Sequence, residues 1–191
     1  MVKIKIAKST VPNAFTLANL SCGIISLLMS FEGKYILAGS FILLACLADR
    51  YDGRVARFLK ASSDLGKELD SLADLVSFGV APSVLAFNLY NFFTMGLLGY
   101  VLVLLLPICG AYRLARYNVT EFDGQFFGIP ITFAGMFMAL YCLITLRHPL
   151  PQEVTILLLI GLSYLMVSKT ILAKKMLITY LMVSKHRFKK F

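Results

Sequence analysis

The stretch DRYDGRVARFLKASSDLGKELDSLAD, residues 49–74, decides how the rest of the chain is read. It sets Asp49, Asp52, Gly53, Ala56, Arg57, Gly66, Asp70 and Asp74 between two apolar flanks. Asp49 and Asp52 are three residues apart and Asp70 and Asp74 four apart, so on two helices each pair lies on one face. Two such helices would present four carboxylates to a shared space. Like charges at that spacing repel, and carboxylates near a bilayer are costly without a positive partner. A divalent cation is the simplest remedy. Oxygen-only ligands select hard ions such as Mg²⁺ or Mn²⁺, and a Mg²⁺ site keeps coordination positions for water and for phosphate. Gly53, Ala56 and Gly66 have almost no side chain and let a ligand approach the helix backbone, while Arg57 adds a planar cation suited to phosphate oxygens.

Outside this stretch the chain is strongly apolar. Of its 191 residues 59% are hydrophobic and 15% charged, which is too apolar for a soluble domain of that length. Apolar runs at 14–31, 35–48, 75–93, 95–112, 129–146 and 154–168 predict an all-α integral membrane protein. The expected architecture is a six-transmembrane-helix bundle forming a single domain over 1–191, with an amino-terminal interfacial segment at 1–12 and a basic tail at 184–191. Glu32-Gly33-Lys34, Tyr90-Asn91 and His148-Pro149-Leu150-Pro151 supply turn signals. No small-residue cleavage site follows Lys8, so the first helix reads as retained.

The cations fix an orientation. Lys3, Lys5 and Lys8, then Arg50, Arg54, Arg57, Lys60 and Lys67, then Arg113 and Arg116, then the basic residues from Lys169 to Lys190 fall on one side of this topology. Lys34 and Arg147 are left on the other. The positive-inside rule then puts both termini and the Asp cluster on the cytoplasmic side of a prokaryotic cell membrane. A net charge of +9 gathered at one membrane face selects anionic lipid headgroups as partners, and no soluble basic module exists to carry nucleic acid. Cys22, Cys46, Cys109 and Cys142 sit singly in four apolar runs and read as packing residues, and His148 and His186 as solvated or headgroup-facing.

The register of the opening stretch resembles the signature of the CDP-alcohol phosphotransferase family at all eight fixed positions. The resemblance implies transfer of a phosphatidyl group from a CDP-linked lipid to a small hydroxylated acceptor, with one or two Mg²⁺ or Mn²⁺ ions as cofactor and a homodimer as the assembly. It assigns Asp49, Asp52 and Asp70 as the main metal ligands, and makes Asp74 both a neighbour of the metal and the catalytic base. It lays Asp52, Gly53, Ala56, Arg57, Gly66 and Asp70 along the CDP-lipid.

Two flanking segments narrow the acceptor. Pro12-Asn13-x-x-Thr16, followed by Asn19 and Gly23, starts the first helix, where Asn13 or Thr16 could simply cap exposed amides. The pattern is also similar to that of the phosphatidylserine synthase branch, which implies that Asn13 and Thr16 border the nucleotide. Arg113 and Arg116, at a cytoplasmic helix end, could be snorkelling anchors. Together with Asn118 and the turn Gly128-Ile129-Pro130, they look like the segment that marks the same branch, which implies that Arg113, Arg116, Asn118, Gly128 and Pro130 serve the acceptor, L-serine. An arginine fork suits the serine carboxylate. Direct attack by serine and a covalent intermediate on an Asp both fit. Ester-linked and ether-linked lipid tails look alike at this level. Glycerol-3-phosphate or an inositol phosphate would be the acceptor in other branches and would call for more cations. A metal transporter would spread ionisable residues through the membrane depth, which this chain does not do.

Depth matters as well. Ile36 to Ala48 covers roughly 20 Å of a hydrocarbon core about 30 Å thick, so Asp49 and Asp52 are expected in a cavity just below the interface, open to cytoplasm and lipid. Ser62-Ser63-Asp64 caps the next helix, and Pro82 is expected to kink it.

Overall fold

The computed structural model describes residues 2–59, 64–119, 128–148 and 150–168, without the side chains of 2–12, 52, 54–59 and 64. The described residues are helical, joined by short turns: α1 Val2–Phe31, α2 Tyr35–Leu59, α3 Asp64–Asp74, α4 Ala81–Leu89, α5 Leu97–Val119, α6 Ile131–Thr145 and α7 Gln152–Val167. A π-helical segment, Leu75–Val80, joins α3 to α4 without a break, and a short 3₁₀ turn, Phe92–Met95, precedes α5. The turns fall where the sequence placed them. Gly33 and Asn91 take the left-handed conformation, with φ of 73° and 54°.

Among the described residues, three helical stretches are long and apolar enough to cross a membrane: Asn13–Phe31, Leu65–Leu89 and Leu97–Val119. α6 and α7 are apolar but shorter, and α2 carries Asp49, Arg50, Asp52 and Arg54 in its second half. Leu65–Leu89 is the central one, with 56% of its most apolar stretch buried, against 28% and 22% in the other two.

α1 packs with small and polar residues inward and large apolar residues outward, as helices do where lipid is the solvent. On α1 the buried face is Thr16, Asn19, Gly23, Ser26 and Ser30, while Leu17, Ile24, Leu28 and Phe31 are exposed. Ser26 Oγ donates to the carbonyl of Ala38 on α2 at 2.9 Å, and Ser30 Oγ accepts from Asn88 Nδ2 at the end of α4 at 3.0 Å. Phe78, Ile42, Leu85, Leu106, Met138 and Leu159 fill the centre. Gly135 on α6 lets that helix cross the π segment at backbone contact, since a Cβ there would lie 2.6 Å from Phe78 Cα.

Where a kink was expected at Pro82, the helix widens into a π segment. Pro82 stands in the first turn of α4, and just before it the Ala81 N–H bonds to the carbonyl of Val76, five residues back. The ring of a proline inside a helix crowds the carbonyl four residues earlier, and a wider turn relieves it. One expectation needs revising: the first helix does not begin near Pro12. The backbone is helical from Val2 onward, so Asn13 and Thr16 lie within α1 rather than at its start. The lysines and apolar residues before Pro12 are themselves tolerable helix formers, so the proline does not mark the start.

Candidate active site

α2 and α3 bring the acidic residues together from either side of a connection that lies outside the described residues. A carboxylate oxygen from each of Asp49, Asp70 and Asp74 lies within 4.8 Å of the others. Asp49 and Asp70 are half-buried and Asp74 is buried, 7% exposed. The spacing of four between Asp70 and Asp74 points both inward from α3, and Asp49 faces them because α2 and α3 both pack on α1.

The donor set is all oxygen, and its size suits a small hard cation. Mg²⁺–oxygen distances of about 2.1 Å put opposite ligands of one ion roughly 4.2 Å apart. A group confined to 4.8 Å closes on such an ion with small side-chain movement. The residues fit a divalent metal.

Asp74 is held from the other side. Asn19 Nδ2, on α1, donates to Asp74 Oδ1 at 3.0 Å, and Ser77 Oγ, in the π segment, donates to the Asn19 carbonyl at 2.9 Å. Asn19 is fully buried. Sequence reasoning gave it no role, although the recurrence of Thr16, Asn19 and Gly23 on one helical face was the available signal.

From α5, Arg113 is near enough to Asp74 for their charges to interact, and its Nε is buried with no hydrogen-bond partner among the described residues. Arg116 lies over the Tyr112 ring, 5.9 Å from its centroid. Asn118 Nδ2 bonds to Ser71 Oγ at 3.0 Å and Glu68 Oε1 at 3.3 Å, tying the end of α5 to the helix that carries Asp70 and Asp74. The expected acceptor residues therefore divide. Arg113 lies within charge range of Asp74, while Asn118 links two helices and Arg116 lies against its own helix.

Gly128 and Pro130 are further off. Gly128 has φ 71° and is pressed on the last turn of α7, where a Cβ would meet the Met166 carbonyl, and Ile129 N–H bonds to Leu165 O at 3.2 Å. Pro130 immediately precedes α6. Thr16 is buried on the face of α1 that carries Asn19, and Asn13 is half-buried one turn earlier. Gly53 is exposed, with open space where a Cβ would be, and Gly66 is half-buried one turn before Asp70. The side chains of Asp52, Ala56 and Arg57 lie outside the described residues, as do 120–127 and the tail.

The sequence matches the CDP-alcohol phosphatidyltransferase family over residues 9–181. The chain belongs to the CDP-alcohol phosphatidyltransferase family. Among curated members, a CDP-diacylglycerol–serine O-phosphatidyltransferase of Bacillus subtilis is 39% identical over 160 residues, which cover 83% of this chain and 87% of that protein. One of the same name from Helicobacter pylori is 36% identical over 140 residues, 72% of this chain and 59% of the relative. Another from Methanocaldococcus jannaschii is 36% identical over 133 residues, 70% of this chain and 60% of the relative. The family match spans both acidic helices and Arg113, so the converged carboxylates lie within the shared region.

Proposed function

We propose that this chain is a phosphatidylserine synthase that transfers a phosphatidyl group from CDP-diacylglycerol, or an ether-lipid analogue, to the hydroxyl of L-serine and releases CMP. The observation that carries the reading is the convergence of Asp49, Asp70 and Asp74 in a chain whose relatives bear that name over most of its length. Asp49, Asp52, Asp70 and Asp74 would hold one or two Mg²⁺ or Mn²⁺ ions. When bound, such an ion supplies Lewis-acid polarisation of the diphosphate and neutralises charge on the departing CMP.

The chain's own residues do the rest. Asp74 accepts the proton of the serine hydroxyl as the serine oxygen bonds to the phosphatidyl phosphorus. The bond from that phosphorus to the CMP oxygen breaks, and CMP leaves with the electron pair. Arg113, a half-buried cation whose Nε has no hydrogen-bond partner among the described residues and which lies within charge range of Asp74, orients the serine carboxylate. Gly53, Ala56, Gly66, Asn13 and Thr16 leave room for or border the cytidine, with Arg57 on its phosphates. Arg116, Asn118, Gly128 and Pro130 shape the acceptor side by fixing the ends of α5 and α6.

In the membrane we infer six crossings, with α2, α6 and α7 completing the bundle as shorter spans, the whole chain as one domain, two copies per assembly, and the acidic site and both termini cytoplasmic. The positive-inside distribution of Lys and Arg supports that side.

The test is CMP release by purified protein in detergent with CDP-diacylglycerol and Mn²⁺, run separately with L-serine, glycerol-3-phosphate and an inositol phosphate. Release dependent on L-serine alone is expected. Release dependent on either phosphate-bearing acceptor would overturn the serine assignment while leaving the family chemistry in place.

A further inference from the structure

Asn19 presents its whole side chain to the interior of the bundle at 0% exposure, and its two ends are treated differently. The amide nitrogen donates to Asp74 Oδ1 at 3.0 Å; the amide oxygen is buried with no hydrogen-bond partner among the described residues. A buried polar atom left unsatisfied is costly, and an apolar side chain of similar shape would avoid that cost. Packing alone therefore does not account for an asparagine here. What it supplies is an N–H, which can only donate, against a carboxylate oxygen.

The surroundings hold that N–H in place. The Asn19 backbone carbonyl accepts from Ser77 Oγ at 2.9 Å, three residues beyond Asp74 and inside the π segment. Gly23, one turn along α1, brings the two helices into contact, since a Cβ there would lie 2.9 Å from Ser77 Cα. Asn19 and Gly23 on one side, Asp74 and Ser77 on the other, form a clamp that fixes the two helices in register at the residue where the π segment begins.

We propose that Asn19 is the positioning residue for Asp74: its amide pins one carboxylate oxygen and so sets the orientation in which Asp74 meets Asp49, Asp70 and the acceptor hydroxyl. The inference rests on the reading of Asp74 as base and metal neighbour. Partners of this kind typically contribute 10- to 100-fold in metal affinity or activity.

The experiment compares full-length wild type, Asn19→Ala, Asn19→Leu, Asp74→Asn and Ser26→Ala. Two quantities are measured: kcat and KM for L-serine-dependent CMP release, and Mn²⁺ affinity by electron paramagnetic resonance without substrates. Ser26 is a buried hydroxyl on the same face of α1, bonded to the Ala38 carbonyl away from the acidic residues, and controls for loss of a helix contact. Asn19→Ala and Asn19→Leu are expected to lower kcat about 10- to 100-fold and to weaken Mn²⁺ binding by a similar factor, with KM for CDP-diacylglycerol little changed and Ser26→Ala like wild type in both. Wild-type kcat and Mn²⁺ affinity in Asn19→Leu, with Asp74→Asn inactive, would overturn the positioning role and leave the proposed reaction standing. Equal losses in Ser26→Ala and Asn19→Leu would also overturn it, by showing a general response to loosening α1. Full turnover by Asp74→Asn would remove the reading beneath it and the inference with it.

Discussion

Asp74 carries more of the account than any other side chain. It is the most buried of the three converged carboxylates, it receives the Asn19 amide, and it lies within charge range of Arg113. A general base contributes typically 10²- to 10⁴-fold, so Asp74→Asn should lower CMP release by about that factor in a steady-state assay. The change should appear in kcat, because the amide keeps the shape and removes the proton acceptor. Arg113 belongs to a different step. Its Nε, without a partner among the described residues, implies that Arg113→Ala should raise KM for L-serine on the order of tenfold, the value of about one charged hydrogen bond, with a smaller change in KM for CDP-diacylglycerol. Equal effects on both KM values would place Arg113 on the lipid side.

At the scale of elements, the glycine before α6 gives the clearest stability prediction. Gly128 combines a left-handed φ of 71° with backbone contact against Met166, so Gly128→Ala should destabilise the protein by about 1–3 kcal/mol, read as an earlier thermal unfolding transition in detergent. The paired aspartates were legible in the sequence because a carboxylate spacing of three or four has one helical meaning, and Asp49, Asp70 and Asp74 do converge. Other features were not legible. Pro82 announced a distortion but not its kind, since the π segment also depends on α6 crossing at Gly135 and on α1 bonding to Ser77. Asn19 stood in the pattern that follows Pro12 without a role of its own; only the packing of α1 against α3 shows that it faces a carboxylate. The start of α1 was misread because proline marks a helix beginning only when the residues before it are poor helix formers.

Across the whole molecule, long apolar helices with large hydrophobic side chains left exposed mark a membrane protein, and composition alone was enough to foresee that class. The number of crossings was less legible. Apolar run length separates the three long spans from α2, α6 and α7, which are short or charged, and a short helix can cross only where the bundle admits water or the bilayer thins. Orientation is testable directly. Lys34→Cys, in the turn after α1, should react with a membrane-impermeant maleimide on intact cells, and Lys67→Cys, on α3 near the acidic residues, only after permeabilisation. The reverse pattern would put the carboxylates outside. Serine transfer and its dependence on metal are read together by incorporation of isotope-labelled L-serine into the lipid phase by purified protein given CDP-diacylglycerol and Mn²⁺, with and without chelator. The account predicts labelled lipid in step with CMP released and none of either after chelation; labelled lipid formed at full rate with the metal removed would contradict it.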